Sequence, residues 1–174
     1  TLSLHDALPI YMADARALHP VQTLLLIQPP RLAPAELVAL DAWVRQGGRV
    51  VILADPDLRW PQQRPIGDPR RAPVATLLSP LYRHWGLDLQ PDAMGSPPRF
   101  ARIAAWTIAL PGSGQWVRAS GQCRLPDPAL AYCPLGKGGA VLIADADFLQ
   151  PEGDAAAQAR AIAAINGLLT DKNQ

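Results

Sequence analysis

Residues 23–57 read TLLLIQPPRLAPAELVALDAWVRQGGRVVILADPD. Thr23 to Ile27 is a short apolar run stopped by Pro29-Pro30, the pattern of a strand buried on both faces. Pro34 suits the first turn of a helix, and Glu36 in that turn is favoured by the helix dipole. Leu37, Leu40 and Val44 recur at helical spacing beside Trp43, and Gly47-Gly48 stops the helix. Arg49 leads into Val50 to Ala54, a second apolar strand that ends at Asp55-Pro56-Asp57. Strand, helix and strand in this span predict a βαβ unit with parallel strands.

Downstream, Leu58 to Ala72 is rich in Pro, Arg and Gln and reads as a long surface loop at the strand's C-terminal end. Loops there form ligand sites in open α/β sheets. Ser79-Pro80 predicts the start of a helix running to Gly86, with Leu81 and Trp85 on its apolar stripe. Leu87 to Leu89 reads as a short strand. Phe100 to Leu110, Gln115 to Leu125 and Ala129 to Pro134 read as β segments separated by Pro-Gly-Ser-Gly and Pro-Asp-Pro turns. Gly136 to Gly139 precedes another apolar strand, Ala140 to Ala144, ending at Asp145-Ala146-Asp147. Asp154 caps a last helix carrying Ala161, Ile162, Ile165, Leu168 and Leu169.

One pattern occurs twice: two glycines, an apolar strand, then Ala-Asp-x-Asp, at Gly47 to Asp57 and Gly138 to Asp147. If the two strands neighbour one another in parallel, Asp55, Asp57, Asp145 and Asp147 gather at one edge. They are therefore the candidate ligand-binding set, for a cation or a polar ligand. The alternative is that they cap the turns that follow, a common use of Asp. The fold class expected is α/β: a three-layer, mainly parallel sheet covered by helices, with extra antiparallel β segments in the second half.

The chain has 174 residues, a net charge of +1 and 49% hydrophobic residues. That suits one domain with a real core and argues against a dedicated nucleic-acid binder. No apolar run approaches the roughly 20 residues needed to cross a bilayer. The N-terminal TLSLHDALPI resembles one reading frame of a sequencing adapter. Thr1 to Ile10 are therefore read as foreign, and residues 11–174 as a single domain truncated at its N-terminus, its own start and any anchor lost.

Motifs for catalysis are missing. No Gly-x-Cys-x-Gly or Gly-x-Ser-x-Gly elbow occurs. Gly136-Lys137-Gly138-Gly139 precedes a strand, where a phosphate-binding loop would follow one. His5, His19 and His84 lack ligand spacing. We expect no catalytic residue, no metal and no cofactor. The cations are 14 Arg and 2 Lys. Arg59, Arg64, Arg70 and Arg71 crowd the loop after Asp57, a candidate docking surface for an acidic partner or lipid head groups. A GC-rich genome explains the abundance of Arg but not this clustering.

The stretch LLLIQPPRLAPAELVALDAWVRQGGRVVILADPD resembles the GldG-like auxiliary domain of ABC-type transport systems, a family that includes a gliding-motility protein. LLSPLYRHWGLDL, GKGGAVLIADADFL and a closing helix with Ala-Ile-Asn-Gly-Leu-Leu follow in the same order. The resemblance covers about residues 20–170. It implies a glutamine amidotransferase-like or flavodoxin-like α/β fold and a periplasmic or membrane-anchored extracytoplasmic location. It further implies a non-catalytic role beside ABC transporter permease and ATPase subunits. The alternative kept open is a small-ligand or divalent-metal-binding domain built on the strand-end carboxylates, with a hydrolase or amidotransferase third. The family's compartment also favours a disulfide between Cys123 and Cys133 over two buried thiols, since the turn at 125–128 lets adjacent antiparallel segments meet.

Overall fold

The computed structural model describes residues 18, 21–68, 70–93, 96–112, 114–150 and 154–170. The adapter-like residues 1–10, with His5, and also His19 lie outside the described residues. The elements are β1 (Thr23–Ile27), α1 (Pro34–Arg45), β2 (Arg49–Leu53), α2 (Ser79–His84), β3 (Leu87–Pro91), β4 (Arg99–Ile103) and β5 (Trp106–Leu110), followed by β6 (Gly114–Arg118), β7 (Arg124–Asp127), β8 (Leu130–Leu135), β9 (Gly138–Ile143) and α3 (Ala155–Thr170).

Five strands form the central sheet, in the order β1-β2-β9-β8-β7. β1 pairs with β2 in parallel, Thr23 opposite Arg49 through Ile27 opposite Leu53. β2 pairs with β9 in parallel, Arg49 opposite Gly139 through Leu53 opposite Ile143. The two acid-tipped strands therefore lie side by side and point the same way.

Beyond β9 the expected architecture fails. β8 runs antiparallel to β9 and β7 antiparallel to β8, so the sheet is mixed. β3 with β6 and β4 with β5 make two small antiparallel sheets of their own. The molecule is mostly β with few helices, not a mainly parallel sheet covered by helices in three layers. The reason lies between β2 and β9. That long interval contributes one helix of six residues, α2, and spends the rest on short strands and loops. The return into β9 is a tight hairpin at Gly136-Lys137, where Gly136 takes a φ of 60°. A hairpin can join only antiparallel neighbours.

The core is built from the apolar faces of these elements. Val50 to Ala54 of the β2 segment and Leu142 to Ala144 after it in the sheet are almost wholly buried, with Leu40 and Val44 of α1 and Ala161, Ile165 and Leu168 of α3. Glu36 accepts a hydrogen bond from the Ala33 N–H at 2.6 Å, closing the start of α1. At its end Gly47 adopts a φ of 124°, which favours glycine. Gly48 has no room for a Cβ, because the Trp43 ring lies on it. The Trp43 indole N–H reaches the Val21 carbonyl at 3.2 Å. Tyr82 of α2 meets Trp116 of β6 edge-on with ring centroids 5.1 Å apart, and the Trp85 indole donates to Asp41 of α1 at 2.8 Å. These contacts fasten α2 and the β3–β6 pair to the α1 end of the sheet.

Candidate functional site

Parallel pairing of β2 and β9 carries both chains to the same edge, and the four sequence-predicted acids separate there into different roles. Asp55 and Asp145 are fully buried, Asp147 is 4% exposed, and Asp57 is on the surface.

Asp55 is used by the backbone. Its Oδ1 accepts the Asp57 N–H at 2.8 Å and its Oδ2 the Ala146 N–H at 2.9 Å. Asp145 accepts the Gly112 N–H at 3.1 Å and the Phe148 N–H at 3.3 Å. Asp147 Oδ1 accepts the Arg59 N–H at 2.9 Å. Its Oδ2 is buried without a hydrogen-bond partner and presses against the Gly112 backbone, where a Cβ would collide with it.

Three carboxyl groups so placed resist ionisation. Burial raises Asp55 to about 6, against its backbone donors. Burial, with the neighbouring Asp55 charge, raises Asp145 to about 7. Asp147 is also raised, first by burial. The physical cause is first desolvation of the charged form, with repulsion from a neighbouring acid added at each of the three.

A residue that the sequence reading passed over completes the edge. Gln28 follows β1 with a φ of 40° and is 2% exposed. Its Oε1 accepts the Asp55 N–H at 2.8 Å, and its Nε2 donates to the carbonyls of Asp55 and Pro73 at 3.1 and 3.0 Å. A polar residue between an apolar strand and Pro29-Pro30 was the available signal. Gly112 was likewise missed, and only its place in a Pro-Gly turn marked it.

Outside the acids a cleft of about 420 Å³ is bordered by Asp57, Arg59, Asp92, Ser96 and Gly112. Arg59 belongs to this edge: its guanidinium lies 3.8 Å from Asp57 and 3.5 Å from the Pro111 carbonyl. Arg64, Arg70 and Arg71 do not join it. They gather on Asp68 and on the Arg64 carbonyl in the outer loop. Among the described residues no group of three or more His, Cys, Asp or Glu side chains is arranged to hold a metal ion. His84 stands on α2, 3.5 Å from Asp41. Cys123 and Cys133 form a disulfide, with both residues buried. Among the described residues no helix is long and apolar enough to cross a membrane.

Residues 10–163 match the family model of a domain of unknown function, DUF4350. No curated protein matches the chain. Solved structures resemble it at low identity. The mmIFT52 N-terminal domain is 13% identical with a TM-score of 0.59, over 92% of this chain and 82% of that one. The cytoplasmic protein STM1381 from Salmonella typhimurium LT2 is 12% identical with a TM-score of 0.54, over 83% of this chain and 67% of that one. The exo-β-1,4-mannosidase Op5Man5 from Opitutaceae bacterium strain TAV5 is 12% identical with a TM-score of 0.49, and the match covers 74% of this chain but only 21% of the enzyme. The first two likenesses speak to the fold alone.

Proposed function

This chain belongs to the DUF4350 family, and from that premise we propose that it is a non-catalytic interaction domain, working outside the cytoplasm as an auxiliary component of an ABC-type transport system. The observation that carries the reading is the fate of the strand-end acids. Asp55 and Asp145 spend both carboxylate oxygens on N–H groups of the loops they join. A buried carboxyl group that accepts an N–H on each oxygen serves as a fastener of the fold. The small-ligand alternative keeps only Asp57, on the surface, and the Asp147 Oδ2. With no nucleophile elbow in the sequence, we read the domain as one that binds through its surface.

Support for the transport assignment comes from the ordered resemblance of residues 20–170 to the GldG-like domains. The Cys123–Cys133 disulfide suits an oxidising compartment. The test is crosslinking in the native host with the chromosomal copy tagged, followed by mass spectrometry. Crosslinks from this domain to an ABC permease or ATPase subunit are expected. Crosslinks confined to cytoplasmic proteins, or none to any transporter subunit, would overturn the reading.

A further inference from the structure

The loop between β2 and α2 is built to protrude. The Leu58 N–H donates to the Val74 carbonyl at 2.7 Å and the Thr76 N–H to the Asp55 carbonyl at 2.8 Å. These bonds pin the two arms together at the base. Pro61, Pro65, Pro69 and Pro73 follow at every fourth position, which stiffens the segment and limits the entropy it loses on binding. A turn closed by the Asp68 N–H on the Pro65 carbonyl, at 3.2 Å, carries Ile66 at its apex, 92% exposed.

The same loop carries three guanidinium groups. Arg70 grips Asp68 with its Nη2 at 2.9 Å and its Nε at 3.1 Å. Arg64 approaches the same carboxylate at 3.6 Å, and Arg71 donates to the Arg64 carbonyl at 2.6 Å. The Asp68 carboxylate thus holds two of the cations and the Arg64 carbonyl the third, which leaves a net positive cap. Trp60 shares with Arg64, Arg70 and Arg71 the lining of a hollow of about 300 Å³.

We propose that this loop docks the domain on an anionic phospholipid surface, with Ile66 entering below the phosphates and Arg64, Arg70 and Arg71 lying among them. Charge complementarity selects an anionic partner. The apolar apex selects a lipid surface over an acidic protein, because an acidic chain would use the arginines and leave Ile66 in water. An exposed apolar side chain on the same short loop as three long cations is the combination that spans the head-group boundary. The docking stands whether or not a transporter is the domain's partner.

The experiment is sedimentation of the 174-residue chain with vesicles in 0.15 M salt, phosphatidylcholine alone against phosphatidylcholine with phosphatidylglycerol. Binding to the anionic vesicles alone is expected, weakening as salt rises. Ile66→Asp and the combined Arg64→Gln, Arg70→Gln and Arg71→Gln variant should each lower the affinity about tenfold or more. Ile66→Trp should raise it, which separates the effect from damage to folding. No binding to anionic vesicles, equal binding to both kinds, or competition by millimolar inorganic phosphate alone would overturn the proposal. So would an arginine variant that abolishes binding while Ile66→Asp leaves it intact, the result an acidic-protein surface would give.

Discussion

The Asp55 Oδ2 accepts the backbone N–H of Ala146 at 2.9 Å, across 91 positions of sequence. The bond joins the loop that leaves β2 to the loop that leaves β9, the two strands whose parallel pairing forms the middle of the sheet. It explains why an acid stands after each strand. Neighbouring parallel strands end in loops whose N–H groups have no ladder partner, and a short buried carboxylate satisfies two of them at once.

Replacing Asp55 by Ala should therefore act on stability. The Asp57 and Ala146 N–H groups would lose their acceptor in a buried setting. We expect a loss of about 2–4 kcal/mol at pH 5 in denaturant titration. Asp57→Ala, which removes an exposed side chain from the same turn, should stay within about 0.5 kcal/mol of the parent. Equal effects of the two substitutions would mean that the buried carboxylate is not the fastener described here.

Stability should also depend on pH in an unusual direction. Asp55 and Asp145 are raised to about 6 and about 7 from an ordinary value of 3.8, so the folded chain holds protons that the unfolded chain gives up. Their contribution is fully present below about pH 4 and is lost as pH rises through 6 and 7. For Asp55 alone the difference corresponds to roughly 3 kcal/mol. Asp41 works the other way. Burial pushes it up, but Arg45, Trp85 and His84 together hold it below its ordinary value, so its contribution is lost as pH falls below 4. Thermal unfolding should show a maximum near pH 4 and a clear decline by pH 8. Asp147→Asn keeps the acceptor for the Arg59 N–H and removes one of the three charges, so it should flatten that decline. A profile that climbs from pH 5 to 8 would contradict the buried-acid account.

The pieces of the fold that sequence made legible are those where one local rule decides. Thr23–Ile27 and Pro34–Arg45 form where the apolar run and the Pro34 and Gly47 signals set them. The Asp154 cap is present, accepting the Ala157 N–H at 2.8 Å. The middle of the chain was not legible. Phe100 to Leu110 reads as one β segment but folds into the β4–β5 hairpin. Its turn lies at Ala104-Ala105, where Ala104 takes a φ of 51°, and neither residue is a turn former. Gln115 to Leu125 likewise divides, β6 pairing with β3 and β7 with β8, because the choice of partner depends on surfaces far away in sequence. The Pro126-Asp127 pair belongs to β7, and the turn follows it, with Asp127 accepting the Ala129 N–H at 2.8 Å. For the site, the grouping of the acids followed from the repeated strand pattern. Their burial, and the role of Gln28, followed from loops whose course no local rule fixes.

The Cys123–Cys133 disulfide ties the approach to β7 to the middle of β8, ten positions on. Cys123 also rests its Sγ 3.4 Å from the Trp85 carbonyl, at the end of α2. Reduction would release β8 from the Cys123 segment, which the Ser120 N–H still ties to the Gly86 carbonyl beside α2 at 3.0 Å. A closed loop of this length stabilises by about 3 kcal/mol in the chain-entropy model. The Cys123→Ala, Cys133→Ala double variant should lose about that amount, since both residues are buried and alanine brings no polar atom inside. Differential scanning calorimetry with and without reductant makes the comparison. The parent should melt several degrees lower once reduced, by roughly 4–8 °C for each 1 kcal/mol in small domains and less at this length, while the double variant should melt at one temperature in both buffers. A parent indifferent to reductant would mean that the bridge adds nothing to the folded sheet.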